Sequence, residues 1–475
     1  MLSRFSKLAG AAGVVALFAA APAFAQEAAA AAAPAAAPFT PTAEMVNKGD
    51  TTWMLVSSAL VLMMSIPALA LFYGGLVRSK NMLSVLMQVL TIVCIASLVW
   101  VGWGYSMAFT GGSPYVGGLS KAFLKGVDAS TLAATFSNGV YIPEYAFIVF
   151  QMTFACITPA LIVGAFAERI KFWPLIIFVV LWLTIVYFPI AHMVWYWAGP
   201  DFLPNAPDDY GYLWGMGALD FAGGTVVHIN AGIAGLVGAL IIGPRIGYRS
   251  ELMPPHSLPM TLIGAALLWV GWFGFNAGSN LEANGLAALA FINTFVATAA
   301  AALAWALVEQ IVHKKPSLLG AATGAIAGLV AITPASGFAA PVTSIVLGAV
   351  ASVVCFFFVT TVKNKLRYDD SLDVFGVHCI GGIVGAIGTG IVAAPALGGQ
   401  GFFDYTVMPA VPGTYDMGVQ VITQIKAVAV TLLWSGGVSA ALFYVLHKTI
   451  GLRPTVDAER EGLDINEHGE RAYNF

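Results

Sequence analysis

Eleven apolar runs, each long enough to cross about 30 Å of hydrocarbon, follow one another through most of this 475-residue chain. They fall near 53–77, 83–110, 145–166, 173–197, 221–243, 258–276, 286–311, 318–334, 341–362, 375–394 and 418–446. Such runs predict membrane-crossing helices. A soluble domain carries roughly 25% charged residues; here 9% are charged and 59% hydrophobic. The expected fold class is an all-α polytopic membrane protein with eleven transmembrane helices. A net charge of −3 without a basic patch argues against nucleic acid as a partner. Cys94, Cys156, Cys355 and Cys379 all lie in apolar runs without CxxC spacing. They read as small core residues, not as a metal centre or disulfide set.

The ends of the chain differ from its middle. Residues 1–25 have the form of a secretory signal peptide: Arg4 and Lys7, an apolar run, then Ala23-Phe24-Ala25. Residues 26–50 are an Ala/Pro-rich leader, expected on the periplasmic side, with no pattern for packing. A membrane-spanning region is expected over 51–447, and 448–475 form a polar tail. Alternate loops carry Arg78 and Lys80; Arg169 and Lys171; Arg245 and Arg249; Lys314 and Lys315; Lys363, Lys365 and Arg367. The other set carries only Lys121 and Lys125. Positive loops stay inside, so the mature N-terminus is expected outside and the tail in the cytoplasm.

Two stretches then stand out. Asp220 to Ala239 (DFAGGTVVHINAGIAGLVGA) and Asp373 to Gly390 (DVFGVHCIGGIVGAIGTG) are glycine-rich and apolar, and each holds one histidine. With His228 placed on His378, Gly232 meets Gly382, Ile233 meets Ile383, Gly235 meets Gly385 and Gly238 meets Gly388. The fifth and tenth helices cross in opposite senses. Similar sequence in opposite orientation is the mark of an inverted repeat, here two five-helix halves plus one extra helix, with the substrate path between the halves. Eight residues, roughly 12 Å of helix, separate Asp220 from His228, which places the histidine near the bilayer middle. Ionisable groups at that depth line a path or pair with one another. The expectation is two neutral imidazoles sharing a hydrogen bond in a lumen. A metal site lacks both an HExxH motif and further ligands.

Asp220 suits a helix cap, and a carboxylate near the outer mouth also attracts cations. Asp373 is expected to cap the tenth helix in the same way. Phe150, Phe154, Trp195, Trp272 and Phe275 are expected towards the outer ends of their helices, with Ser279 just beyond the sixth. Singly they suit an interfacial belt. Together with a hydroxyl and an acid they suit a cation–π cup, worth about 2 kcal/mol when desolvated.

These residues belong to longer motifs: Ala70-Leu-Phe-Tyr-Gly-Gly-Leu-Val-Arg78, Phe150-Gln-Met-Thr-Phe-Ala-Cys-Ile-Thr158, Asp220-Phe-Ala-Gly-Gly-Thr-Val-Val-His228, Gly271-Trp-Phe-Gly-Phe-Asn-Ala-Gly-Ser279 and Asp373-Val-Phe-Gly-Val-His378. Through them the chain, from about Asp50 onward, resembles Amt/Mep/Rh ammonium transporters of the bacterial Amt type. The resemblance implies a recruitment site at Phe150, Trp195 and Ser279 with the acid Asp220. It also implies a gate at Phe154 and Phe275, and a pore along His228, His378 and Trp272. It implies a homotrimer in the bacterial inner membrane, ammonium or methylammonium as substrate, and a PII-type protein docking on the cytoplasmic face. No cofactor and no enzymatic activity are expected. The loop from Tyr196 to Leu219 looks longer than in close bacterial relatives. Other readings are an ammonium sensor acting through a PII-type partner, a passive channel for another small neutral molecule, and an intramembrane metalloenzyme.

Overall fold

The computed structural model describes residues 39–206 and 208–474. The expected signal segment and residues 26–38 of the leader lie outside them. Among the described residues ten helices are long and apolar enough to cross a membrane: α1 Lys48–Leu76, α2 Ser79–Phe109, α3 Glu144–Phe166, α4 Phe172–Trp195, α5 Gly224–Ile242, α6 Leu258–Gly278, α7 Gly285–His313, α9 Pro341–Leu366, α10 Phe375–Val392 and α11 Met417–Thr449. Between α7 and α9 lies α8, Leu318–Ile332, shorter at 15 residues. At 1.5 Å per residue it measures roughly 22 Å, less than the hydrocarbon thickness. The turns that follow it, through Thr333, Ala335, Ser336 and Ala339, are buried. Asn293 Nδ2 donates to the Ser336 and Ala339 carbonyls at 2.8 and 2.7 Å. Irregular backbone is tolerated at such depth because protein, not lipid, surrounds it.

The helices pack as two interleaved halves. α1 lies along α6 and α5 along α10, so equivalent members of the two halves meet. Glycines set the α5–α10 distance. A Cβ added at Gly232 would lie 2.5 Å from the backbone N of Cys379, and one at Gly382 would lie 2.9 Å from Ile229 Cγ1. Small residues let helices approach closely where water supplies no driving force.

The connections gather on two faces. A vestibule face is built from the segments around 110–143, 196–223, 279–284 and 400–416. The opposite, tail face carries the polar C-terminus. There Asp464 accepts from the N–H groups of Leu83 and Ser84 at 3.1 and 2.8 Å, beside the start of α2. Glu467 accepts from Phe172 N at 3.2 Å, at the start of α4. Carboxylates suit these positions because a helix start presents unpaired N–H groups and a positive dipole end. A buried ion-pair knot joins the loops: Arg78 with Glu168 at 2.6 Å, and Arg245 with Asp369 at 2.8 Å. Burial would raise the Glu168 carboxyl, but Arg78 and Arg245 outweigh it and hold it below the ordinary carboxylate range.

Candidate functional site

Each histidine sits just inside the start of its helix, in a wide (π) turn: Gly224–Ile229 in α5 and Phe375–Cys379 in α10. Such turns displace side chains from ordinary helical register and recur at functional sites. A carboxylate stands eight residues ahead of each. Asp220 accepts from the N–H groups of Gly223, Gly224, Thr225 and Val226 at 2.8, 2.6, 2.8 and 3.2 Å, and from the Thr225 hydroxyl. Asp370 accepts from Val374 N at 3.1 Å and Phe375 N at 2.7 Å. Asp370, not Asp373, is therefore the counterpart of Asp220. Asp373 faces Lys363 at 2.6 Å and adopts φ +60°, where Gly223 of the other half has φ +118°. The correct register was present in the sequence, since Asp370 precedes His378 by the eight residues that separate Asp220 from His228. Asp373 is simply the nearer acid.

The two imidazoles meet between the halves. His228 Nδ1 lies 3.2 Å from His378 Nδ1, and the rings are nearly parallel, 15° apart with centroids 5.3 Å apart. One Nδ1 must carry a hydrogen and the other a lone pair. The two Nε2 atoms are then one acceptor and one donor. Among the described residues His228 Nε2 has no hydrogen-bond partner. Both rings line an internal cavity of about 10 Å³ whose other walls are Met64, Leu69, Phe72, Ile157, Leu161, Val227, Leu268, Trp272, Phe275 and Ile326. That space suits a solute no larger than about one water. Trp272 belongs here rather than towards the helix end: it stacks on His228 at 5.3 Å and 16°, and its indole N–H donates to Thr333 Oγ1 at 2.9 Å.

Towards the vestibule face the path is shut by aromatic rings. Phe154 and Phe275 stack 4.2 Å apart at 26°, and Phe275 is 6.0 Å from His228. Phe150 meets Phe154 edge-on at 5.0 Å, and Trp195 meets it at 5.6 Å and 88°. The Trp195 indole N–H donates to the Asp220 carbonyl at 2.9 Å, which ties this ring to the helix cap. Ser279 Oγ donates to the Phe275 carbonyl at 2.8 Å, leaving its lone pairs as acceptors. The expected residues thus come together in order: Ser279 and Trp195 at the mouth, Phe150 beside them, Phe154 and Phe275 beneath, then Trp272 and the histidines. The Asp220 carboxylate is the exception. It lines the mouth, yet both oxygens are occupied by the first turn of α5.

Above the mouth opens a vestibule of about 1350 Å³ lined by Glu144, Asp209, Asp220, Glu282, Asp404 and Asp416 against one cation, Lys121. Sequence reasoning passed over five of these acids, because they come from separate loops and share no spacing. An acidic cleft with low-dielectric walls concentrates cations. Among the described residues no three His, Cys, Asp or Glu side chains group as a metal site.

A family model described as the Ammonium Transporter Family matches residues 52–473. The chain belongs to the ammonium transporter family. It is 45% identical over 434 residues to the ammonium transporter of Bacillus subtilis (strain 168), covering 90% of this chain and 99% of that one. It is 46% identical over 431 residues to that of Aquifex aeolicus (strain VF5), with 90% and 94% covered. Among solved structures it is similar to Saccharomyces cerevisiae Mep2, with TM-score 0.76, 31% identity and 88% and 92% of the two chains covered. A protein described as a sensor Amt protein matches with TM-score 0.77 and 28% identity over 88% and 98%. A helical, membrane-spanning ammonium transporter fold thus accounts for the architecture.

Proposed function

We propose that this ammonium transporter captures the ammonium ion, strips its proton at the mouth and passes ammonia along the histidine pair. The observation that carries the reading is the succession of an acidic vestibule, an aromatic cup, stacked rings and a cavity of about 10 Å³ at the paired imidazoles. Ammonium gathers in the field of the vestibule carboxylates. Trp195, Phe150 and Ser279 hold it by cation–π attraction and a hydrogen bond, with the field of Asp220 behind them. The cup returns about 2 kcal/mol, far less than the tens of kcal/mol lost by a bare ion in an apolar pore. Desolvation makes the bound ion a stronger acid, so its proton passes to a neighbouring water and on to the imidazole pair, and the neutral molecule continues. Phe154 and Phe275 swing aside to admit it. The donor and acceptor Nε2 atoms then replace its lost water contacts. Potassium has no proton to shed and stops at the cup.

The proton's route along the imidazole pair, the homotrimer and docking of a PII-type protein on the tail face are parts of the same proposal. So are removal of residues 1–25, eleven crossings that include α8, and residence in the inner membrane with the vestibule outside. The excess of Lys and Arg on the tail face supports that orientation. The test is initial uptake of labelled methylammonium into proteoliposomes at graded concentrations. Trp195→Ala and Ser279→Ala are each expected to raise KM, by about tenfold for the tryptophan as its cation–π contribution is lost, with Vmax within about twofold. His378→Ala and His228→Ala are expected to lower Vmax. Unchanged KM in Trp195→Ala would remove the cup from the account.

A further inference from the structure

One buried histidine plays no part in this path. His192 lies in α4, three residues before Trp195, and is fully buried. Its two ring nitrogens face two different pieces of the vestibule face. Nδ1 is 3.0 Å from the Ala108 carbonyl at the end of α2, and Nε2 is 2.9 Å from the Ser113 carbonyl in the hairpin Gly112–Gly117. Whichever nitrogen carries the hydrogen, the ring bonds an acceptor; doubly protonated, it bonds both.

A third piece is held by stacking. The Tyr196 ring lies on His192 at 4.5 Å and 13°, and its hydroxyl donates to Asp209 Oδ1 at 2.7 Å. The long loop closes back at the same point: Gly211 N donates to the Tyr196 carbonyl at 2.8 Å. A Cβ at Gly211 would collide with the His192 carbonyl, so only glycine allows that approach. All of this converges on the last turn of α4, from which Trp195 projects onto Phe154.

We propose that His192 is a positioning residue for the cup: by stacking it holds the 196–219 loop, and by its ring hydrogen it holds α2 or the hairpin, to the turn that carries Trp195, and so sets the affinity of the mouth for the cation. The inference rests on the reading that Trp195 binds ammonium. A helix end fixed only by its own backbone would let the indole tilt away from Phe154. An error of about 1 Å in such a group is enough to weaken binding severely.

Methylammonium uptake into proteoliposomes tests it with His192→Phe and His192→Gln, beside Trp195→Ala. Phenylalanine keeps the ring on Tyr196 but donates to neither carbonyl; glutamine donates from one amide group. His192→Phe is expected to raise KM about tenfold with Vmax within about twofold, and His192→Gln to fall between it and wild type. If His192→Phe does not yield folded protein, His192→Gln decides alone: a raised KM at unchanged Vmax supports the clamp. Wild-type KM in the variants, or a fall in Vmax at unchanged KM, would overturn it. Should Trp195→Ala leave KM unchanged, the reading of the cup fails; should it raise KM while the His192 variants do not, only this inference fails.

Discussion

Replacing Asp220 with alanine is expected to abolish transport, to below about 1% of wild type, and to prevent recovery of folded protein. The carboxylate is the acceptor for four backbone N–H groups at the buried start of α5, and for the Thr225 hydroxyl. A buried donor left unpaired costs about 1–3 kcal/mol, so four cost about 4–12, similar to the roughly 5–15 kcal/mol that keeps a domain folded. The same change frees the carbonyl segment to which Trp195 is tied. Asp220→Asn retains one acceptor oxygen and is expected to fold, with reduced transport. The yield of folded protein after detergent extraction, and methylammonium uptake, would read both. Wild-type uptake by Asp220→Ala would mean that the cap is dispensable.

The second large effect is expected at Gly232. A methyl group there would meet the N, Cβ and Cα of Cys379 at 2.5, 2.6 and 2.8 Å, two of them backbone atoms that cannot rotate away. Overpacking of this kind costs about 1–3 kcal/mol. The relief open to the structure is separation of α5 from α10, which lengthens the 3.2 Å contact of the histidines. Gly232→Ala is expected to assemble yet lose uptake at least about tenfold. Gly437→Ala, where an added Cβ meets nothing within 4 Å, is the control and should match wild type.

Much of this arrangement was legible in the sequence because membrane sequence is strongly constrained. Lys and Arg sort the loops, apolar length marks most helices, and a histidine is conspicuous at depth. The shared register of His228 and His378 announced their contact across 150 residues. What escaped was set by three-dimensional assembly. The acids of the vestibule converge from loops far apart in the chain. The shortness of α8 follows from buried turns that its composition does not distinguish from helix. Nothing in the sequence singles out His192, because its two carbonyl partners lie 79 and 84 residues away.

The central claim is that ammonium crosses only by giving up its proton, which makes the pore selective without a size filter. The most direct measurement is charge movement in proteoliposomes holding the wild-type protein, after matched jumps of ammonium and of potassium. The account predicts a transient current for ammonium, carried by the proton passed along the imidazole pair, and none for potassium even in large excess. A potassium current from the wild-type protein would contradict it.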